Sequence, residues 1–147
     1  MNLYLRMKIE KTKIIIKMAQ MGKEGKKLDS LISELKEPKE DKELRFKINT
    51  EDFKAYGNSV IKKLESYAEL QSDMRIADDN REGIRIYFDA ENIKGWLLLR
   101  LSVHDPIMPL NIESDVAGGV KLIAERFADF VKDMDMLDIS SLIEFIA

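Results

Sequence analysis

Between Gly95 and Ser114 the chain reads GWLLLRLSVHDPIMPLNIES, and within it Arg100, Ser102 and the single histidine, His104, fall at alternate positions just before Asp105-Pro106. An Arg guanidinium presents a planar fork of donors that matches a phosphate, a Ser hydroxyl donates or accepts, and His offers at least one N–H. Three such groups so close together suit capture of an oxyanion. The stretch from Trp96 to Leu101 is too continuously apolar for an exposed segment, and Ile107 to Ile112 resumes the apolar pattern, which predicts two short strands around a turn from Ser102 to Pro106. Pro106 fixes its own φ and pushes Asp105 out of the helical region, so the turn is stiff where the polar groups converge. The same spacing also fits an ordinary hairpin with a Ser or Asx turn and a solvated Arg.

The segment from Gly83 to Ser114, and especially Gly95-Trp96 followed by Arg100, Ser102, Asp105-Pro106 and Glu113, resembles the C-terminal domain of the α-D-phosphohexomutases, the phosphomannomutase and phosphoglucomutase family. In that family a strand enters a phosphate-binding loop of the form Arg-x-Ser-Asn-Thr-Glu-Pro, and a second Arg typically follows on the exit strand. Arg100, Ser102 and Pro106 match by position, and Asp105 stands in for Glu. Val103 and His104 replace the usual Asn and Thr, and Asn111 sits where the second Arg is expected. The resemblance implies that Arg100, Ser102, His104 and Asn111 hold the nonreacting phosphate of a hexose phosphate. It extends from about Thr12 to Leu142, whereas Met1 to Lys11 do not look like the family, so by its pattern the chain starts abnormally.

Family catalysis also needs a phosphorylated Ser in a Thr-Ala-Ser-His-Asn type loop, an Asp-Gly-Asp-Gly-Asp type metal loop and a sugar-selecting Gly-Glu-x-Ser-Gly loop, and none of these occurs in the sequence. Without a phosphoserine donor and a divalent metal to neutralise developing charge, holding a sugar phosphate cannot by itself transfer a phosphoryl group. The chain alone is therefore expected to be inactive, with no catalytic residue, metal ligand or cofactor of its own; the magnesium of the intact family would belong to the missing domains. Hexose phosphate is the expected ligand. Other expected partners are the missing mutase domains supplied in trans, or a second copy joined through the apolar helix from Ile14 to Met21. A different class of reading makes the chain a noncatalytic interaction module or a nonfunctional gene remnant.

Composition fits a small folded domain. The chain has 147 residues, 45% hydrophobic and 35% charged, with a formal net charge of −3. That length suits a single core, and the balance argues against disorder. The acidic charge gives no general attraction to nucleic acid, and no apolar run approaches the roughly 20 residues that span a bilayer. With no cysteine, neither a disulfide framework nor a thiolate metal site can form. Lys11, Lys13 and Lys17 interrupt the short apolar piece near the start, unlike a signal peptide, so the expected compartment is cytoplasmic.

The elements that position the loop follow from periodicity. Ile9 to Met21 reads as a helix stopped by Gly22, and Leu28, Leu31, Ile32 and Leu35 mark a second that ends before Pro38. The mixed-sign run Lys36 to Glu43 reads as a linker. These give residues 1–42 as a helical remnant of a preceding domain plus linker, and 43–147 as the phosphohexomutase-like C-terminal domain. Leu44, Phe46 and Ile48 alternate with polar residues as a strand. Asn49 or Thr50 is placed to cap a helix carrying the stripe Phe53, Tyr56, Val60, Ile61, Leu64 and Tyr67. Ile76 to Asp79 precedes a turn at Asn80 to Gly83, and Ile84, Ile86 and Phe88 form the next strand. A last long helix opens after Asp115, with Val120, Ile123, Ala124, Phe127 and Val131 on one face, and Leu137 to Ile146 forms a short amphipathic helix.

The expected fold is therefore α+β in two layers: a four-stranded, mainly antiparallel sheet with helices on one face, preceded by the N-terminal helices. The resemblance implies the same architecture, the TATA-binding-protein-like fold of the family's last domain, which carries no implication of DNA binding. Gly118-Gly119 could let N–H groups approach an anion, although a glycine pair more often marks only a helix start. The carboxylates Asp78, Asp79, Glu82, Asp89 and Glu91 lie in turns without the spacing of a cation loop. Ser102 and His104 lack a third partner for a hydrolase triad.

Overall fold

A computed structural model describes residues 37–80 and 82–147. The helices expected over 9–21 and 28–35, and the self-association expected through 14–21, lie outside the described residues.

Strand β1 (Glu40–Ile48) turns Leu44, Phe46 and Ile48 inward and Glu43, Arg45 and Lys47 outward. It begins inside the charged run read as a linker, because antiparallel pairing with β5 (Ile107–Ser114) runs from Glu40↔Ser114 to Lys47↔Ile107 and satisfies the backbone whatever the side chains are. Helix α1 (Phe53–Glu69) is capped by Asp52, not by Asn49 or Thr50: the Ala55 N–H donates to its Oδ1 at 3.2 Å. The cap lies three residues before the bonded amide, the spacing that satisfies an orphan N–H of the first turn.

Strands β2 (Met74–Ile76), β3 (Ile84–Phe88) and β4 (Gly95–Leu99) follow, then β5, helix α2 (Gly119–Val131), β6 (Leu137–Asp138) and helix α3 (Ser140–Ile146). All pairings are antiparallel, in the order β2-β3-β4-β5-β1-β6. The fold is the expected two-layer α+β arrangement, with a sheet of six strands rather than four. The two additional strands are the edges β2 and β6, three and two residues long, too short for a period-two pattern to stand out in sequence. β6 also takes the first residues of the stretch expected to be one tail helix.

The core lies between the helices and one sheet face. Phe46, Ile86, Leu97, Leu99, Leu110 and Ile112 point into it, met by Val60 and Leu64 of α1 and by Ile123 and Phe127 of α2. Phe127 stacks on Phe46 with ring centroids 5.8 Å apart. Helix α3 covers the end of β1 on the same side, where the Lys42 ammonium sits over the Phe145 ring. Residues 38–147 thus form one compact unit.

The opposite sheet face is not a plain solvated one. Trp96 and Leu98 point to it and are buried, so β4 is apolar on both sides, as its unbroken sequence GWLLL requires. On this face Leu98 pairs with Arg85 and Asn111, and Trp96 with Tyr87 and Glu113.

Candidate phosphate-binding loop

The loop from Arg100 to Pro106 joins β4 to β5 and is held at its base by the sheet. The Arg100 N–H donates to the Pro109 carbonyl at 3.0 Å, and the Ser102 N–H to the Ile107 carbonyl at 3.0 Å. Inside the loop the Ile107 N–H donates to the Asp105 carbonyl at 2.7 Å, and the Asp105 N–H to Ser102 Oγ at 3.3 Å. The Pro106 carbonyl accepts the Ile48 N–H at 2.7 Å, tying the far side of the loop to the end of β1. Ser102 thus makes the Ser turn that its spacing allowed, and its hydroxyl proton is left to donate elsewhere.

Of the residues singled out for phosphate binding, the structure places Arg100 and Asn111 on the same sheet face. Leu98 pairs with Asn111 and Leu99 with Leu110, so Arg100 stands one step beyond this row, diagonal to Asn111. Arg100 Nε and Asn111 Oδ1 are both shut off from solvent with no hydrogen-bond partner among the described residues. Ser102 is half-buried on the loop, and His104 is exposed at its tip beside Val103. The amides of Val103 and His104 have no acceptor among the described residues. His104 therefore reaches the loop's outer rim and does not join Arg100 and Asn111 on the sheet.

Behind the loop, Leu101 faces the core side and lies against α1 at Gly57, where a Cβ would come within 2.5 Å of Leu101 Cδ1. The absence of a side chain there lets the helix seat the residue between Arg100 and Ser102.

The glycine pair at the start of α2 serves packing, not an anion. Gly118 takes φ +80 at the turn, and a Cβ on Gly119 would lie 1.9 Å from Ser114 Oγ and 2.7 Å from the Ile93 carbonyl oxygen. The Val120 N–H already donates to the Glu40 carboxylate at 3.3 Å, which puts negative charge of the chain's own at that helix end.

Sequence periodicity missed Arg85. Standing between Ile84 and Ile86, it reads as the solvated half of an alternating strand, yet its Nε and Nη2 are buried without a hydrogen-bond partner among the described residues. Its guanidinium lies over the Trp96 ring, 4.6 Å from the centroid. The signal that could have found it is the unbroken apolar run of β4, which buries both faces and with them the outward residues of the neighbouring strand.

Two further ion pairs lie elsewhere on the fold. Arg126 of α2 grips Asp73, just before β2, with Nη1–Oδ2 at 2.5 Å and Nη2–Oδ1 at 2.9 Å. The Arg126 hydrogen bond holds the Asp73 carboxyl below its ordinary pKa, and the same contact raises Arg126. Arg75 lies over the Tyr87 ring and pairs with Asp89 at 3.7 Å. No helix among the described residues is long and apolar enough to cross a membrane. Compared with the models of known protein families and with curated proteins, the sequence matches none.

Proposed function

We propose that residues 43–147 are the phosphate-binding C-terminal domain of an α-D-phosphohexomutase, acting on hexose phosphates in carbohydrate metabolism in the cytoplasm once joined to the domains that carry the phosphoserine, the metal and the sugar-selecting loop. The observation that carries this reading is the placement of Arg100 and Asn111 on one sheet face, with Arg100 Nε and Asn111 Oδ1 both buried and unpartnered among the described residues, at the foot of a stiff loop whose Val103 and His104 amides lack acceptors. Arg100 supplies charge and a donor fork to the phosphate, Ser102 its hydroxyl proton, and the loop amides the remaining donors. His104, at the rim, closes over the anion from the solvent side.

Such a site contributes orientation. Gripping the phosphate remote from the reacting end holds the sugar where the rest of an enzyme can act on it, which is how remote binding energy lowers a barrier. The chain alone remains inactive on this reading, since nothing in its 147 residues matches the phosphoryl-donor or metal loops.

An NMR titration of the full chain with a hexose phosphate tests it. Saturable shifts confined to amides of residues 100–111 and abolished by Arg100→Ala are expected. A folded spectrum unmoved at about millimolar ligand, the weak end of ordinary affinities, would reject phosphate binding and leave the interaction module or remnant.

A further inference from the structure

We propose that the basic, apolar stretch Lys13–Lys17 of a second copy of this chain docks in an acidic groove beside α3; the proposal stands apart from the phosphate reading. The groove, of about 630 Å³, lies where Asn49, β6 and α3 meet, and its lining includes Asp135, Leu137, Asp138, Ile139, Ile143 and Glu144. Part of that lining is apolar and open to water: Leu137 is buried and Ile139 half-buried, but Ile143 is 50% exposed, as is Met136 next to it in the chain before Leu137, at 46%. The charged lining is of one sign. Asp138 is fixed as an anion, since its Oδ1 accepts the Ser140 hydroxyl and the Ser140 N–H at 3.0 Å, bonds that keep its carboxyl below the ordinary pKa. Lys47, opposite Asp138 in the register of β1 and β6, adds a weaker attraction. Asp133, also exposed, follows the C-terminal end of α2, where the helix dipole is already negative. An exposed apolar patch rimmed by charge of one sign suits a partner that is apolar and of the opposite sign.

The chain itself carries that chemistry. Residues 1–27 hold eight Lys or Arg against two Glu, whereas residues 28–147 hold sixteen against twenty-five Asp or Glu. So sharp a division of charge along one chain points to an interaction between its parts or its copies. Within the basic stretch, Ile14, Ile15 and Ile16 stand between Lys13 and Lys17. An apolar centre flanked by ammonium groups is complementary to a groove that combines Leu137 and Ile143 with Asp135, Asp138 and Glu144, whatever backbone conformation the segment takes. Each copy bears one segment and one groove, so a two-fold pair makes the contact twice and leaves no groove free to extend a filament. Burial of the isoleucines supplies affinity, and the charges set the choice of partner.

Sedimentation equilibrium of the full chain tests it, run from about 1 μM to about 1 mM chain, in about 0.1 M and about 1 M salt, between which the Debye length falls from about 10 to about 3 Å. At the lower salt the mass should climb with concentration from one chain toward two, and the higher salt should raise the dissociation constant about tenfold. Asp135→Lys with Glu144→Lys should raise it about tenfold or more, and so should Lys13→Glu with Lys17→Glu. Asp135 and Glu144 are exposed and make no hydrogen bond or ion pair among the described residues, so the fold does not need them; Asp138 is left unchanged because it holds Ser140. All four substitutions together exchange the charges without removing them, and should bring association back to within about threefold of wild type. Circular dichroism first checks that each variant is folded; if the Lys pair is not, Asp135→Asn with Glu144→Gln takes its place and should weaken association about threefold. A chain that stays monomeric throughout overturns the proposal. So does a dimer whose constant ignores the groove substitutions, or a folded four-fold variant that associates no better than its parents. None of these outcomes touches hexose phosphate binding, which the NMR titration decides separately.

Discussion

Ser114 and Gly119 share a space that holds only one side chain. Ser114 Oγ donates to the buried Ile93 carbonyl and accepts the Val116 N–H at 3.2 Å, while a Cβ on Gly119 would sit 1.9 Å from that same oxygen. The end of β5, the turn before β4 and the start of α2 are joined at this point. Gly119→Ala should cost about 1–3 kcal/mol through overpacking against atoms that cannot all withdraw. Gly118→Ala meets open space but must hold φ +80, so its cost should be about 1–2 kcal/mol and come from the backbone alone. Urea unfolding midpoints of the two variants check both, and the Gly119 variant should be at least as destabilised as its neighbour.

The Arg126–Asp73 clamp predicts a pH dependence with a definite sign. The Asp73 carboxyl is lowered in the fold by its hydrogen bonds to Arg126. Its stabilisation is therefore complete above the unfolded carboxylate pKa of about 4 and is lost as pH falls through the lower folded value. Arg126 stays charged in both states, so its raised value adds no slope in that range. Because both side chains remain partly solvated, Asp73→Asn should cost about 1 kcal/mol near neutrality, less than for a fully buried pair. Chemical denaturation at neutral and acidic pH should show the gap between wild type and variant closing in acid; a gap of constant size would refute the clamp.

Gly57→Ala tests whether α1 sets the loop between β4 and β5. The added methyl meets the end of the Leu101 side chain at 2.5 Å, and that side chain can move, whereas Ala is the better helix former by about 1 kcal/mol. Overall stability should change by less than about 1 kcal/mol, since the two effects oppose. The displacement of Leu101 should instead register as amide shifts at residues 100–103. Unmoved loop amides would show that α1 and the loop are uncoupled.

Phe127→Ala probes the seam between the layers. Phe127 is fully buried and touches both Phe46 and Phe130, so the variant should lose about 3–5 kcal/mol, as aromatic deletions from packed cores do. A midpoint near that of wild type would mean that α2 is not the principal cover of β1.

Much of the fold was legible in the sequence because the pattern was local. Leu44, Phe46 and Ile48 on β1, Ile84, Ile86 and Phe88 on β3, and the stripe Val60–Leu64 on α1 each declare their period within a few residues, and the two-layer arrangement follows from burying those faces together. The loop with Arg100, Ser102 and Asp105-Pro106 was equally visible, since a proline-stiffened turn between apolar runs is a statement about neighbours in sequence. What the sequence could not decide was pairing over distance. The edge strands β2 and β6 exist because an adjoining strand offers hydrogen bonds, and β1 extends back to Glu40 because β5 reaches Ser114. The Asp73–Arg126 clamp and the Ser114–Gly119 fit join residues whose approach only the packed layers create. Asn111 lies on the same sheet face as Arg100, and Arg85 falls in Asn111's row, because of strand register, which no single segment encodes. The residue types that could hold an anion were written in the chain; which of them lie buried on one face was settled by the tertiary structure, since burial is a property of the layers and not of the strand.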